Sequence, residues 1–119
     1  MSPAFHDLAT TRRSVRAYKA EPVPEALLQT VLEAGRLAPS ACNKQPWRFI
    51  VVRNETTRRA LGAAYAREWF WKAPVIIVVC VVPGEAWTRS YDGKNYALVD
   101  GALAMDHLML AAAEAGLGT

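Results

Sequence analysis

An arginine-rich segment near the start of the chain is the first candidate for binding chemistry. Within five positions it contains Arg12, Arg13, Ser14 and Arg16. We predict that residues 11–19 are extended, and the alternation of side chains along such a segment would place Arg12, Ser14 and Arg16 on one face. Arg13 would point away from that face. Two guanidinium groups and a hydroxyl can bind the oxygens of a phosphate, although an exposed basic edge strand is the alternative interpretation.

A polar loop is the second candidate. In chain order it consists of Pro39, Ser40, Ala41, Cys42, Asn43, Lys44, Gln45, Pro46 and Trp47. Its small residues allow a ligand to approach the backbone closely, and the amides of Asn43 and Gln45 both donate and accept hydrogen bonds. Such groups suit the edge of a heteroaromatic ring. The alternative is an ordinary loop whose amides bond to neighbouring backbone groups.

Helices and strands must position these two motifs, and proline, glycine and hydrophobic periodicity predict where they lie. Ser2 and Pro3 are typical of the N-cap and first residue of a helix, and Gly116 is typical of a helix end. The predicted order is a helix over 2–10, an extended segment over 11–19, a helix from Pro24 that stops at Pro39, a strand over 47–53, a helix over 54–69, a strand over 75–82 and a helix over 95–115. The second strand is nearly all β-branched, which predicts that it is central and covered on both faces.

The last helix is apolar on most of its surface. Its predicted buried face contains Leu98, Ala102, Met105, Leu108, Met109 and Ala112. A domain of this size offers little cover for such a helix, so we expect part of it to contact a second subunit.

The length of 119 residues predicts a single α+β domain over 1–119 with one core. Two strands are too few for a stable sheet, so we expect the chain to be partial or its missing strands to come from elsewhere. The longest apolar run, residues 74–83, is far shorter than the roughly 20 residues of a membrane-spanning helix. The first residues lack the pattern of a secretory signal, which predicts a cytoplasmic protein without a membrane partner.

Several other classes of site are disfavoured. A net charge of +3 without a long basic stripe argues against nucleic acid. His6 and His107 have no second ligand at a regular spacing, so no metal is expected. Asp100 and Asp106 are predicted to be polar positions on the last helix rather than an acid/base pair. No glycine-rich dinucleotide-binding pattern is present.

Cysteines and aromatic residues receive structural interpretations. Cys80 is expected to be a buried small hydrophobe, and neither it nor Cys42 has the spacing of a disulfide framework. Residues 69–71, Trp-Phe-Trp, are expected to make core or dimer contacts, with a substrate pocket as the alternative.

Taken together, the two motifs resemble the nitroreductase family. The resemblance rests on Arg-Arg-Ser-Val-Arg at 12–16, Ala-Pro-Ser at 38–40 and Asn-Lys-Gln-Pro-Trp-Arg-Phe at 43–49. It continues more weakly through Lys-Ala-Pro at 72–74 and Ala-Gly-Leu-Gly-Thr at 115–119. It implies a three-layer α+β fold with a central mixed sheet flanked by helices, incomplete at the C-terminus because relatives continue with a further strand and a C-terminal extension.

The same resemblance implies an FMN site. Arg12 and Ser14 would bind the phosphate, Arg16 would lie towards the ribityl chain and the N1/O2 edge of the ring, and Arg13 would contribute in the same stretch. The loop that approaches the flavin matches Pro39, Ser40, Ala41, Asn43 and Gln45. Part of that loop would come from the other subunit of a homodimer, so that each FMN site is shared. Relatives commonly have Ser or Gly at the position of Ala41, which leaves only a backbone contact there.

The activity implied by the resemblance is that of an FMN-dependent oxidoreductase. Electrons would move from NAD(P)H through the flavin to a nitroaromatic, a quinone or a similar small acceptor. No catalytic side chain is expected, because the flavin carries the chemistry and Arg16 would stabilise negative charge at N1/O2. A non-catalytic FMN-binding or regulatory subunit is one alternative, and an anion- or nucleotide-binding module without flavin is another.

Overall fold

The computed structural model describes residues 4–119. Its helices are α1 (Phe5–Thr11), α2 (Glu25–Arg36), α3 (Glu55–Leu61), α4 (Glu68–Lys72) and α5 (Ala97–Glu114), with short 3-10 turns at Ala41–Asn43 and Pro83–Glu85. The strands are β1 (Trp47–Val52) and β2 (Ile76–Val81). Ser2 and Pro3, which were predicted to begin the first helix, lie outside the described residues.

The two strands form an antiparallel pair in which Trp47 lies opposite Val81 and Val52 lies opposite Ile76. Both runs are rich in the β-branched and aromatic residues that fit a pleated surface. In β2 only Ile76 is buried, and Cys80 is half-buried. Among the described residues β1 is the only neighbour of β2 in the sheet, so the strand is not central there, and its half-buried residues show that the predicted full cover of both faces is wrong for the described residues.

Helices α2 and α5 pack against each other, and α5 also lies against both strands. The core between them centres on Val31, Leu108 and Ala112. Gly35 of α2 permits the close approach, since a Cβ atom at that position would lie 2.6 Å from Cδ2 of Leu108. The end of α2 also differs slightly from its prediction, because the helix stops at Arg36, before Pro39.

The buried face of α5 agrees with the predicted one only in part, because Leu108 and Ala112 are buried as predicted but other members of the face are exposed. The helix buries its small residues, among them Gly101, Ala104 and Ala112, whereas Leu98 is 78% exposed and Met105 is 44% exposed. The reason is close packing against the sheet, because a Cβ atom at Gly101 would already lie 2.5 Å from Val81. Hydrophobicity therefore predicted the helix and the buried face of its second half correctly, but it missed the small residues that pack against the sheet in the first half, since small side chains set the packing distance.

The helix predicted over residues 54–69 is interrupted. Asn54 caps α3 as expected by accepting from the backbone N–H of Thr57 at 3.1 Å, but α3 ends at Leu61 and the chain turns before α4. The turn folds α4 back onto α3. It brings Tyr65 into edge-to-face contact with Trp69 and Phe70, with ring centroids 5.7 and 5.5 Å apart. Aromatic packing of this kind outweighs the local preference for a continuous helix.

The described residues contain no helix that is both long enough and apolar enough to span a membrane. Five helices and a small sheet over residues 4–119 confirm the predicted α+β class.

Candidate functional site

The arginine segment lies between α1 and α2 and has no regular secondary structure. Its burial does not follow the predicted alternation: Arg12, Val15 and Tyr18 are half-buried, whereas Arg13, Ser14 and Arg16 are exposed. A three-residue repeat is typical of polyproline II backbone, and Arg12 has φ −58° and ψ 137°, close to that conformation. Arg12 is therefore in a different environment from Ser14 and Arg16. The predicted alternation fails because the segment is not a strand of the described sheet.

The positive charges of this segment have no acidic partner among residues 4–119. None of the ion pairs there involves Arg12, Arg13 or Arg16. By contrast, arginines elsewhere pair with carboxylates: Arg36 with Glu33, Arg48 with Glu85, Arg53 with Glu25, Arg59 with Glu55 and Arg89 with Asp92. The guanidinium donors of the segment are thus available for an anion.

Contacts hold both the segment and its neighbourhood in place. The backbone N–H of Val15 donates to the carbonyl of Thr119 at 2.7 Å, and the Tyr18 hydroxyl donates to the carbonyl of Val15 at 2.8 Å. Burial raises the pKa of Tyr18, and the positive charge of Arg16 acts in the opposite direction.

The polar loop has a strained backbone. Cys42, Asn43 and Gln45 have φ values of 53°, 52° and 51°, in the left-handed region that non-glycine residues seldom occupy. Each such residue costs on the order of 1–3 kcal/mol and persists only when the surroundings enforce it. The side chains of Asn43 and Gln45 are exposed.

Ser40 is one of the groups that enforce this conformation. Its Oγ accepts a hydrogen bond from the backbone N–H of Gln45 at 2.9 Å, and its carbonyl accepts from the N–H of Asn43 at 3.0 Å. The buried residues Ala38 and Pro46 fix the two ends of the loop. Ser40 thus stabilises the loop from within.

Asp100, which we predicted to be an ordinary polar position on α5, is the polar residue most deeply buried in the described structure. Its side chain is almost completely enclosed, and Oδ1 accepts a hydrogen bond from the backbone N–H of Ala41 at 3.0 Å. The contact joins positions 59 residues apart, so local pattern cannot reveal it. The available signal was an isolated carboxylate in a run of apolar and small residues.

The two motifs contact opposite ends of α5. The polar loop meets Asp100 near the start of the helix, whereas Val15 of the arginine segment meets Thr119 just beyond its end. Asp100 and Glu114 are separated by about 20 Å at the helical rise of about 1.5 Å per residue. Within one chain the structure therefore does not bring the loop to the Val15 end of the segment.

Comparison with known proteins identifies the family. A sequence model of the nitroreductase family matches residues 9–70, just over half of the chain. The chain belongs to the nitroreductase family. A solved nitroreductase-family structure from Clostridium difficile 630 superposes with a TM-score of 0.90 and 36% identity, over 98% of this chain and 66% of that one. This agreement confirms the predicted nitroreductase-like fold.

Two further relatives extend the comparison. A protein of Methanothermobacter thermautotrophicus named NADH dehydrogenase/NAD(P)H nitroreductase is 36% identical over 115 residues, which are 91% of this chain and 54% of the relative. A nitroreductase of Desulfovibrio desulfuricans solved in complex with FMN has a TM-score of 0.82 and 30% identity, over 99% of this chain and 67% of that one. The chain therefore spans about half the length of the curated relative and about two thirds of each solved structure.

Both motifs lie within the part of the chain that matches the nitroreductase model, and Asp100 lies outside it. Trp69 and Phe70 line an open cleft of ≈ 710 Å³ together with Tyr18 and the second half of α5. Trp71 lies apart from them and stacks beneath the guanidinium of Arg59 at 4.0 Å. Residues 69–71 thus contribute to two separate surfaces rather than to one.

The histidines stand apart from both motifs. His6 is exposed on α1, and a ring nitrogen of His107 lies 3.1 Å from the carbonyl of Leu103 within α5. Residues 4–119 contain no group of three or more histidine, cysteine or acidic side chains that could hold a metal ion.

Proposed function

We propose that the protein is an FMN-dependent oxidoreductase that moves electrons from NAD(P)H to a nitroaromatic, a quinone or a similar small acceptor. The observation that carries the proposal is the set of three arginines without acidic partners at residues 12–16, within the part of the chain that matches the nitroreductase family. The positive charges of such a cluster repel one another when no anion is bound, and a bound anion strongly stabilises them.

The residues present fit FMN. Arg12 and Ser14 would bind the phosphate with Arg13 beside them, and Arg16 would place positive charge near the pyrimidine edge of the ring. The exposed amides of the polar loop, together with the backbone of residues 39–41, would contact the ring. FMN, when bound, would supply the electron transfer itself, so the chain needs no catalytic side chain. The FMN-bound structure from Desulfovibrio desulfuricans and the name of the Methanothermobacter relative support the choice of FMN and NAD(P)H.

A homodimer with shared sites is part of the proposal. The two motifs contact opposite ends of α5, so an antiparallel pair of α5 helices would bring the loop of one subunit towards the arginine segment of the other. Leu98, Val99, Leu103 and Met105 are exposed apolar residues of α5 that such a pairing would cover. A cytoplasmic location is also proposed, because Cys42 and Cys80 are free thiols, as is usual in a reducing compartment.

Flavin binding is the direct test. Purified protein incubated with FMN is expected to retain the yellow flavin absorbance after gel filtration, and NADH or NADPH is expected to bleach it. Arg12→Ala should lower FMN affinity by at least about tenfold, because the loss of one charge-assisted hydrogen bond to phosphate costs roughly 1.5–3 kcal/mol. Arg36→Ala is the control, since Arg36 is exposed and pairs only with Glu33.

The outcomes separate the alternatives. If the protein does not bind added FMN, an anion- or nucleotide-binding module without flavin is the alternative that remains. Flavin that binds but is not bleached by either nucleotide would indicate a non-catalytic FMN-binding subunit. Undiminished FMN affinity in Arg12→Ala would show that the phosphate assignment is wrong.

A further inference from the structure

The carboxylate of Asp100 is buried beneath the polar loop with incomplete hydrogen bonding. Asp100 is 1% exposed, Oδ1 accepts from the backbone N–H of Ala41 at 3.0 Å, and Oδ2 has no hydrogen-bond partner among the described residues. Its position in the first turn of α5 allows the helix dipole to favour a negative charge. A buried acceptor without a partner nevertheless opposes folding.

The surroundings of this side chain would suit an apolar residue. Ala38, Trp47 and Ala104 form a buried cluster close by, and Ala97 is buried one turn earlier on α5. Replacing both partners of a buried polar pair by apolar groups of the same shape is often neutral or stabilising, whereas removing one partner leaves the other unsatisfied. The unpartnered Oδ2 therefore offsets part of what the bond to Ala41 contributes to stability, and the remaining consequence of that bond is the attachment of the loop.

That contact is a side-chain hydrogen bond between the polar loop and α5. The hydrogen bond from the N–H of Gln45 to Ser40 lies within the loop, whereas the bond from Ala41 to Asp100 attaches the loop to α5. Directly after Ala41 come the left-handed residues Cys42 and Asn43. A strained backbone reverts to other conformations unless such attachments hold it.

We propose that Asp100 is a positioning residue that fixes residues 40–45 in the conformation that binds the cofactor. The inference rests on the proposed FMN function, since the loop is assigned there to the flavin ring. It gives α5 a role in cofactor binding, although Asp100 belongs to neither of the two sequence motifs.

Two variants test the hydrogen bond. Asp100→Ala removes the acceptor, whereas Asp100→Asn keeps an oxygen that can accept from Ala41 and preserves the volume of the side chain. Asp106→Ala is the matched control, because Asp106 is an exposed carboxylate on the same helix. For each protein we would measure amide hydrogen exchange of residues 40–45 without FMN, the Kd for FMN and the melting temperature.

Asp100→Ala is expected to accelerate exchange in the loop and to weaken FMN binding by about tenfold or more, with little change in the melting temperature, because removal of the unpartnered Oδ2 offsets the loss of the bond to Ala41. Asp100→Asn is expected to restore slow exchange and most of the affinity, and Asp106→Ala to change neither.

Three results would overturn the proposal. The first is unchanged loop exchange in Asp100→Ala. The second is an Asp100→Asn variant as defective as Asp100→Ala, because the charge rather than the hydrogen bond would then matter. The third is a large fall in melting temperature that accompanies the loss of affinity, which would indicate a merely structural residue. If the wild type itself fails to bind FMN, the proposed function fails, while loop exchange still reports whether Asp100 holds the loop.

Discussion

Arg58 illustrates what a single residue contributes to this fold. Its guanidinium donates hydrogen bonds to the carbonyls of Trp71 at 2.8 Å, Ala73 at 2.5 Å and Arg53 at 3.0 Å. It thereby joins α3 to the end of β1 and to the turn that leads into β2. Unlike the arginines that pair with carboxylates at the surface, Arg58 satisfies carbonyls that have no helix or strand partner of their own.

We predict that Arg58→Ala lowers the free energy of unfolding by about 2 kcal/mol, because several carbonyls lose a charged donor and part of this surface is buried. Arg58→Lys should recover only part of the loss, since an ammonium cannot reproduce the planar fork of the guanidinium. Chemical denaturation monitored by tryptophan fluorescence would measure both effects. Arg36→Ala provides the comparison, because an exposed ion pair contributes roughly 0–1 kcal/mol. Equal losses in Arg58→Ala and Arg36→Ala would contradict the assigned role.

Residue types alone predicted only part of the candidate site. The arginine segment and the polar loop could be found because unusual residues are clustered within a few positions of each other. The role of Asp100 could not be found in this way, because its partner Ala41 is remote in sequence and contributes a backbone N–H that carries no sequence signal. The hydrogen bond from the N–H of Gln45 to Ser40 could not be predicted either, because it depends on left-handed backbone that the residue types do not indicate.

At the scale of helices and strands, the sequence predicts which elements exist better than it predicts how they pack against one another. The existence of α2, α5 and both strands follows from hydrophobic periodicity and β-branched content, and the structure confirms each of them. The buried face of the first half of α5 and the break after Leu61 do not follow, because both depend on what the neighbouring element presents. Gly101 against Val81 and Tyr65 against Trp69 are contacts between elements that local sequence does not specify.

The contact between α2 and α5 gives the prediction at this scale. Gly35→Ala improves intrinsic helix propensity by roughly 1 kcal/mol, yet we expect a net destabilisation of about 1–3 kcal/mol. The new methyl group would lie 2.6 Å from Cδ2 and 2.9 Å from Cγ of the buried Leu108, and 3.0 Å from Phe49. Leu108 would have to leave its present position, which gives up the contacts that it makes in the core with Val31 and Ala112.

Thermal unfolding followed by circular dichroism would show the Gly35→Ala effect as a lower melting temperature. Gly84→Ala is the matched control, because a Cβ atom at Gly84 meets nothing within 4 Å and the residue does not adopt a left-handed φ. A Gly35→Ala protein as stable as the wild type would show that helix propensity outweighs packing at this contact.

The molecule as a whole is organised around α5. One end of this helix contacts the polar loop through Asp100, and the chain just beyond its other end contacts the arginine segment through Val15. Its exposed side carries Leu98, which is 78% exposed, and Met105, which is 44% exposed. Under the proposed function, a site made from both motifs takes them from two different chains, which leads to a test that a single-chain site would fail.

Mixing two defective chains should restore cofactor sites. Arg12→Ala damages the arginine segment, and the double change Asn43→Gly with Gln45→Gly removes both loop amides while glycine tolerates the left-handed backbone. In a shared-site dimer, each mixed pair contains one fully damaged site and one intact site. Random pairing therefore predicts that roughly one site in four binds FMN with wild-type affinity, although neither variant alone does so.

The measurement is an FMN titration after the two proteins have been unfolded and refolded together. Arg12→Ala mixed with Arg16→Ala is the control, because every site in that mixture would still contain one damaged arginine segment. Restored sites in the first mixture and none in the second would require that the loop and the segment of one site belong to different subunits. The absence of restored sites in the first mixture, with dimers present, would instead mean that each chain supplies both motifs to its own site, despite their contacts with opposite ends of α5.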